Sequence, residues 1–339
     1  MRRAIRRATC AAIALAAGSA VRPCSAATIG GVNLGNLTDY LFVFTNGASD
    51  ANWQSSSDGY KGDVAIDGVQ ADERTSGLVP YAGTIYTNDS NLEAWQEIVD
   101  DNPTQATGSF NQAARISGLE ANLSSAFTQI NALPATVGFT NTAIASLDNL
   151  NTQNSINQVF VINVTGNASG ISTQLDITGD AGDIFIMRWD TDLATAGYQG
   201  EVKFQSGGGI NPLGGLTPGN FVHVAGDLGA SGGGTAPSGL ASSLAEIDAI
   251  AGGDTVDSGG FFTGYWLTTG NPTNADTGSF STAIFVGGWY SSTDNLSMTS
   301  GTSGVHVTPA PEPGSVVTLS LVLAALAARR RRRRPSAAG

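Results

Sequence analysis

A single, mainly β domain with one long helix against its flank is the fold class this sequence predicts, and three observations predict it. Short runs of strand character recur through the middle of the chain, nearly all bounded by Gly, Asn or Asp, which tolerate the left-handed conformations of tight corners. Only one long stretch, Ser109 to Leu133, carries sustained helical periodicity. Strands and helices do not alternate, so a doubly wound sheet is not expected, and a β-sandwich or a β-solenoid remains. No repeat of fixed length chooses between the two.

The long helix comes first because everything else needs a relation to it. Ile116, Leu119, Leu123, Phe127 and Ile130 fall on one helical face, and Ala113, Ala121 and Ala126 allow close approach to a neighbour. Ser109 is the expected N-cap, and Pro134 cannot continue the helix. The opposite face is polar, so the segment reads as a structural brace. Its apolar stripe needs a surface, which the flanking strand runs Leu41 to Phe44 and Val159 to Val164 would supply.

From the N-terminus, Arg2, Arg3, Arg6 and Arg7 precede a short apolar run, Ala11 to Ala17, and small residues follow at Ala26 and Ala27. This is the layout of a secretory signal peptide, so residues 1–27 are set apart from the fold. Residues 28–308 then form the β domain and 309–339 a tail. Cys10 and Cys24, the only cysteines, both lie in the signal, so the domain would hold no disulfide and no thiolate metal site.

Before the long helix, strands are expected at Leu41 to Phe44, Asp63 to Asp67 and Gly83 to Thr87. A short helix is expected from Asn91 to Asp101, opened by the capping pattern Ser90 and Glu93 and ended by Pro103. After it the strand runs are Val159 to Val164, Gln174 to Thr178, Asp183 to Trp189, Glu201 to Gln205, Phe221 to Ala225, Gly264 to Leu267, Thr282 to Val286 and Gly304 to Val307. A third helix is expected from Leu240 to Ile250, with Leu240, Leu244 and Ile247 on one face.

Between the two ends lie five basic and 27 acidic residues, a formal net charge of −22. Such a surface repels polyanions, which argues against nucleic acid or anionic lipid as a partner. Charged residues make up only 13% of the chain, about half the share usual in a soluble domain, and Ser, Thr, Asn and Gly supply the polarity instead.

Few residues carry a chemical signal. Gly229 to Gly233 satisfies G-x-S-x-G but lacks the strand before and helix after that a nucleophile elbow requires, so it reads as a loop. His223 and His306, the only histidines, each alternate with valines and are expected to face outward from strands. Asp176, Asp180, Asp183, Asp190 and Asp192 crowd one region, and calcium is the metal such oxygen ligands would suit. No known calcium-loop pattern is present, however, and turn aspartates are the simpler reading. Nothing marks a carboxylate pair for glycoside hydrolysis. Trp53, Trp95, Trp189, Trp266 and Trp289 offer rings for sugar stacking, with core packing favoured for most. No catalytic residue and no cofactor is assigned.

Two resemblances add to this reading. Pro311, Glu312 and Pro313 open a tail whose 13-residue apolar run, Val316 to Ala328, precedes six arginines that begin with Arg329, Arg330 and Arg331. This order resembles the PEP-CTERM sorting signal of Gram-negative bacteria. It implies export, a transient inner-membrane intermediate, and processing by an exosortase near Pro311. The segments Val159 to Gly166, Gly219 to Gly226 and Gly62 to Gly68, with the long helix between, resemble the choice-of-anchor A family of bacterial surface proteins. More distantly, Leu175 to Ile186 is similar to the bacterial ice-binding adhesin domain. These resemblances imply a discontinuous right-handed β-solenoid with the long helix on its flank. The expected function is that of a non-catalytic, exported cell-surface or extracellular-matrix structural or adhesion protein whose flat Thr, Ser and Asn rich face hydrogen-bonds hydroxyl-bearing surfaces, polysaccharide among them, without selecting one strongly. Ice binding ranks second, because no regular Thr-x-Thr ladder is present, and a polysaccharide-acting enzyme is a further alternative.

Overall fold

A computed structural model describes residues 27–48, 51–53, 59–68, 81–88, 106–109, 112–156, 158–168, 170–190, 201–205, 207–226, 246–250, 261–268, 279–280, 284–292, 296–298 and 303–310. In chain order the strands are β1 (Ala27–Ile29), β2 (Val32–Gly35), β3 (Tyr40–Ala48), β4 (Ala51–Trp53), β5 (Tyr60–Lys61), β6 (Asp63–Gly68), β7 (Tyr81–Thr87) and β8 (Ala106–Ser109). Helix α1 (Ala113–Ala132) follows, then β9 (Thr142–Ala143), β10 (Leu150–Asn151), β11 (Val159–Thr165), β12 (Gln174–Gly179), β13 (Ile184–Asp190), β14 (Glu201–Gln205) and β15 (Gly209–Gly214). The last are β16 (Phe221–Gly226), β17 (Glu246–Ile250), β18 (Phe261–Thr268), β19 (Ser279–Phe280), β20 (Ile284–Ser291), β21 (Leu296–Met298) and β22 (Ser303–Val305).

Apart from the antiparallel pair β1–β2, every pairing among these strands is parallel. That is not the pairing of a sandwich built from antiparallel hairpins. The strands fall into three ladders. The first runs β8–β7–β6–β3–β20–β18–β16–β13–β11–β9, and the third runs β14–β17–β19–β21–β4. The second joins β10, β12 and β15 to the opening residues of β18 and β20, and continues through β22 and β5 to the start of β7. Strands β18 and β20 therefore belong to two ladders, and each bends at a glycine. Gly264 (φ +93°) and Gly287 (φ +150°) are paired at this corner, and a Cβ on Gly287 would run into the Gly264 carbonyl.

The order of the strands is not the order of the chain. Strands β3, β6 and β7, from the N-terminal part, stack on β20 from the C-terminal part. Helix α1 makes this possible. Its N-terminal end is tied to β7 by the Gln112 N–H to the Thr87 carbonyl (3.4 Å), and just beyond its C-terminal end the Thr136 N–H reaches Val161 on β11 (2.9 Å). From β7 to β11 there are seven strand-to-strand steps, roughly 34 Å at about 4.8 Å each. The 20 residues of the helix span about 30 Å. The helix is thus long enough to return the chain along nearly the whole of the first ladder.

Parallel register lines up side chains in columns. On the inner side of the first ladder one column runs Ile162, Met187, His223, Trp266, Trp289, Phe42. Rings stack within the core, Phe160 on Phe185 at 5.2 Å and Phe185 on Phe221 at 5.0 Å. On the outer side Val161, Ile186, Val224, Leu267, Tyr290 and Val43 form a second apolar cluster with Leu119, Leu123, Phe127 and Ile130 of the helix. The expected helix face is therefore the buried one. Its cap differs from expectation: Ser109 ends β8, the N-cap position is Gln112, and no side chain caps the helix start. Arg115 holds that end instead, donating from Nη1 to the Tyr40 hydroxyl (2.8 Å) with its guanidinium 4.1 Å over the Tyr86 ring.

The third expected helix is corrected in part. Glu246 to Ile250 is strand β17, paired in parallel with β14 and β19, while residues 240–245 lie outside the described residues. Alternation of Ile247 and Ala249 with Glu246 and Asp248 fits a strand as well as the helical spacing fits a helix, and the neighbouring ladder decides. The short helix expected at Asn91 to Asp101, the loop Gly229 to Gly233, the signal before Ala27 and the tail from Pro311 also lie outside the described residues. Among the described residues no helix is long and apolar enough to cross a membrane.

Candidate binding surface

The first ladder is covered on its outer side by α1 and by the β1–β2 hairpin, whose Ile29, Val32 and Leu34 join the same cluster. The outer side of the second ladder is open. On β12, Gln174, Asp176 and Thr178 point out between buried Leu175 and Ile177. On β15, Asn211 and Leu213 lie beside Asp176 and Thr178 in register. Further along, Thr263, Val286 and Val305 stand in register, followed by Lys61 and Ala82; Thr263 is buried at 6% exposure, Val286 is part-exposed and Val305 is exposed. Leu213, Ile284 and Val305 are 37%, 38% and 41% exposed, among the few large apolar side chains that face solvent.

Polar groups at the β12 end are pre-arranged. The Asn211 side-chain amide donates to Asp176 Oδ1 (2.9 Å), and the Asp176 N–H donates to Asp148 Oδ1 (3.3 Å). The Thr263 hydroxyl is turned inward and donates to the Ile210 carbonyl (2.8 Å). Between Asp176 at one end and Lys61 at the other, the row through Asn211, Thr263, Val286 and Val305 bears no charge. Neighbours along the ladder are about 4.8 Å apart and alternate residues along a strand about 6.8 Å, a spacing set by backbone hydrogen bonding alone. The surface is therefore a regular, weakly polar array.

The crowded aspartates are mostly structural. Asp183 is buried, and its Oδ2 accepts from the Thr152 hydroxyl (2.8 Å) and the Asp180 N–H (3.0 Å), closing the turn between β12 and β13. Asp180 Oδ2 accepts the Asn154 N–H (2.9 Å), where Asn154 has φ +61°. Asp190 is buried at the end of β13, and Asp192 lies outside the described residues. Among the described residues no group of three or more His, Cys, Asp or Glu is placed to hold a metal ion. Trp189, Trp266 and Trp289 are fully buried, while Trp95 and the Trp53 side chain fall outside the described set.

Both histidines depart from the expected outward placement. His223 is fully buried on the inner side of β16, stacked on Trp266 with ring centroids 4.1 Å apart. Its alternation with valines misleads because both sides of this strand are covered: Val222 and Val224 face the helix, so Phe221, His223 and Ala225 face the core. The Trp189 indole N–H donates to His223 Nδ1 (3.2 Å), which places the ring proton on Nε2. His306 is half-buried, with Nε2 2.7 Å from the Thr38 carbonyl oxygen.

Burial pushes the His223 pKa down to about 3, and a contact with the Thr263 backbone offsets this only in part. The unfolded ring titrates near 6.5, so between those values the unfolded chain binds the extra proton. Stability is therefore expected to fall as pH drops below about 6.5, by up to about 1.4 kcal/mol per unit from this residue. His223→Leu removes that contribution. Comparing urea midpoints at pH 7 and pH 4.5, the wild type should lose about 2–3 kcal/mol more than the variant, and equal losses would show that His223 charges freely in the fold.

The sorting residues Pro311, Glu312, Pro313, Arg329, Arg330 and Arg331 lie outside the described residues. The described elements define a class: a mainly β protein of parallel ladders, braced on one side by a single long helix and open on another. No family model and no curated protein matches the sequence. Among solved structures the chain is similar to an ice-binding protein from an Arctic yeast, with 13% identity over 84% of this chain and 99% of that one, TM-score 0.46. It is also similar to the DUF3494 domain of Shewanella frigidimarina ice-binding protein_1 (16% identity, 83% and 98% covered, TM-score 0.45) and to an ice-binding protein from Antarctomyces psychrotrophicus (12% identity, 81% and 98% covered, TM-score 0.41).

Proposed function

We propose that this is a non-catalytic, exported protein that adsorbs to an extended, repeating hydroxyl-bearing surface, ice first, through the open outer side of the second ladder. In this reading the three ladders are the faces of a right-handed β-solenoid, and the tail from Pro311 directs sorting by an exosortase and retention at the cell surface. The observation that carries it is the uncharged stretch in which Val286 and Val305 stand in register, with exposed Ile284 and Leu213 and part-exposed Asn211 beside them. Binding to a crystal surface gains little per contact, so it needs many contacts fixed before binding, with no entropy left to lose. A ladder provides this, because backbone hydrogen bonds fix the spacing. A Thr-x-Thr pattern is then not required: weakly hydrated apolar groups set among amides and hydroxyls on a regular lattice suit an ordered water surface. Polysaccharide is the second reading, favoured by the polar end of the same face at Gln174, Asp176, Thr178 and Asn211.

The test is inhibition of ice recrystallisation and thermal hysteresis by residues 27–310, beside retention on extracellular polysaccharide. Val286→Tyr, which breaks the evenness of the row, is expected to lower ice activity at least tenfold with the melting temperature nearly unchanged. Val137→Tyr, at a fully exposed position outside the ladders, should have no effect. Absence of ice activity in the wild type rejects the ice reading, and retention on polysaccharide alone transfers the face to the second one.

A further inference from the structure

The first strands of the chain meet the last across one seam, and this seam is short. In the first ladder β20 pairs with β3 at three positions, Trp289 with Phe42, Tyr290 with Val43 and Ser291 with Phe44, and in the third β21 pairs with β4 at three more, Leu296 with Ala51, Ser297 with Asn52 and Met298 with Trp53. Strand β22 is lodged in the same region, paired with β20 on one side and β5 on the other. A break here would release the N-terminal strands from the stack without disturbing the pairings from β11 to β20.

We infer that residues 306–310 are a latch that closes this seam. Beyond β22 the chain leaves its ladder, and five residues make four ties to separate elements. The His306 N–H donates to the Lys61 carbonyl (2.7 Å) and its ring Nε2 sits 2.7 Å from the Thr38 carbonyl oxygen, both on the N-terminal side of the seam. On the other side the Tyr265 hydroxyl donates to the Val307 carbonyl (2.6 Å), and the Ala310 N–H donates to the Gly219 carbonyl (3.0 Å). The strap lies so close that glycine is needed beneath it. A Cβ on Gly219 would meet the Thr308 carbonyl oxygen and come within 2.8 Å of the Ala310 nitrogen, and one on Gly62 would come within 2.6 Å of His306 Cβ. Ala310 itself is buried in the cluster under the helix.

Because β3 pairs with a strand made some 250 positions later, the N-terminal strands have no complete docking site until the last residues of the domain are in place. The latch is the final piece, and it runs directly into the tail at Pro311. Seam closure and tail attachment therefore share one point. A protease that removes the tail after Ala310 leaves the latch intact, whereas a cut within 306–310 opens the seam.

Amide hydrogen exchange on the whole chain tests this. In Gly219→Ala, where the new methyl displaces the strap, and in His306→Ala, the amides of Phe42 to Phe44 and Tyr60 to Lys61 are expected to exchange at least tenfold faster, while those of Ile162 and Ile186 are unchanged. Gly182→Ala, with nothing within 4 Å of the added methyl, should match the wild type. A chain ended after Val305 should show the same pattern more strongly. Uniform acceleration through all strands, or full protection of the seam in the shortened chain, overturns the latch.

Discussion

Leu123→Asp is expected to unfold the protein at ambient temperature or to leave it several kcal/mol less stable, the largest effect of any single change considered. Leu123 is 1% exposed at the middle of α1 and belongs to the cluster between the helix and the first ladder. Its burial contributes about 2 kcal/mol, and an unpaired carboxylate in its place adds several kcal/mol more unless it takes up a proton. The loss is not local. The helix covers strands from both parts of the chain, Val43 and Ala65 from one and Val224 and Leu267 from the other, so lifting it exposes both and frees the seam. Ser124→Asp, one residue on and exposed, is the control and should change the melting temperature little. If Leu123→Asp melts with the wild type, the helix is not part of the core.

Arg188→Met is expected to cost about 3–5 kcal/mol. Arg188 is fully buried on β13 and serves three acceptors: Nε donates to Asn163 Oδ1 (2.7 Å), and Nη1 to the carbonyls of Leu133 (2.9 Å) and Ile130 (3.3 Å). The two carbonyls are at the C-terminal end of α1, where unpaired acceptors and the helix dipole both favour a cation. The charge is costly to keep there, and burial lowers the Arg188 pKa to about 10, but it stays protonated at neutral pH. Methionine fills similar space and leaves all three acceptors dry. Arg188→Lys, a point charge on a shorter reach, cannot serve the three together and should recover less than half of the loss. Urea denaturation measures both, and an Arg188→Met variant within about 1 kcal/mol of the wild type would mean that water replaces the guanidinium.

The Leu123 effect is legible in the sequence, from the apolar stripe of α1, whereas the Arg188 effect has no strong signal there. Arg188 sits in the run Ile184 to Trp189, whose alternation is apolar nearly throughout because both sides are covered, and a charged residue there has no local explanation. Its partners are 25 to 58 positions away. The same double covering misplaced His223. Ser109 looked like a cap because it precedes the helix by a few residues, yet it was already engaged in pairing with β7. In contrast, the apolar face of α1 and the strand runs from Leu41, Asp63, Val159, Gln174, Glu201 and Phe221 were legible, since periodicity is a local property and each run buries the side its pattern exposes to the core.

The sequence by itself determined the mainly β character, the single long brace with its buried stripe, and the corners where Gly, Asn and Asp turn the chain. These follow from backbone freedom and side-chain period, which act within a few residues. Only the tertiary structure decided that the ladders are parallel, that the first strands stack on the last, which side of the second ladder stays open, and that residues 306–310 bind across the seam. Those outcomes depend on partners far apart in the chain, and the hydrogen bonds that select them join backbone groups that are alike at every position, so no residue type announces them.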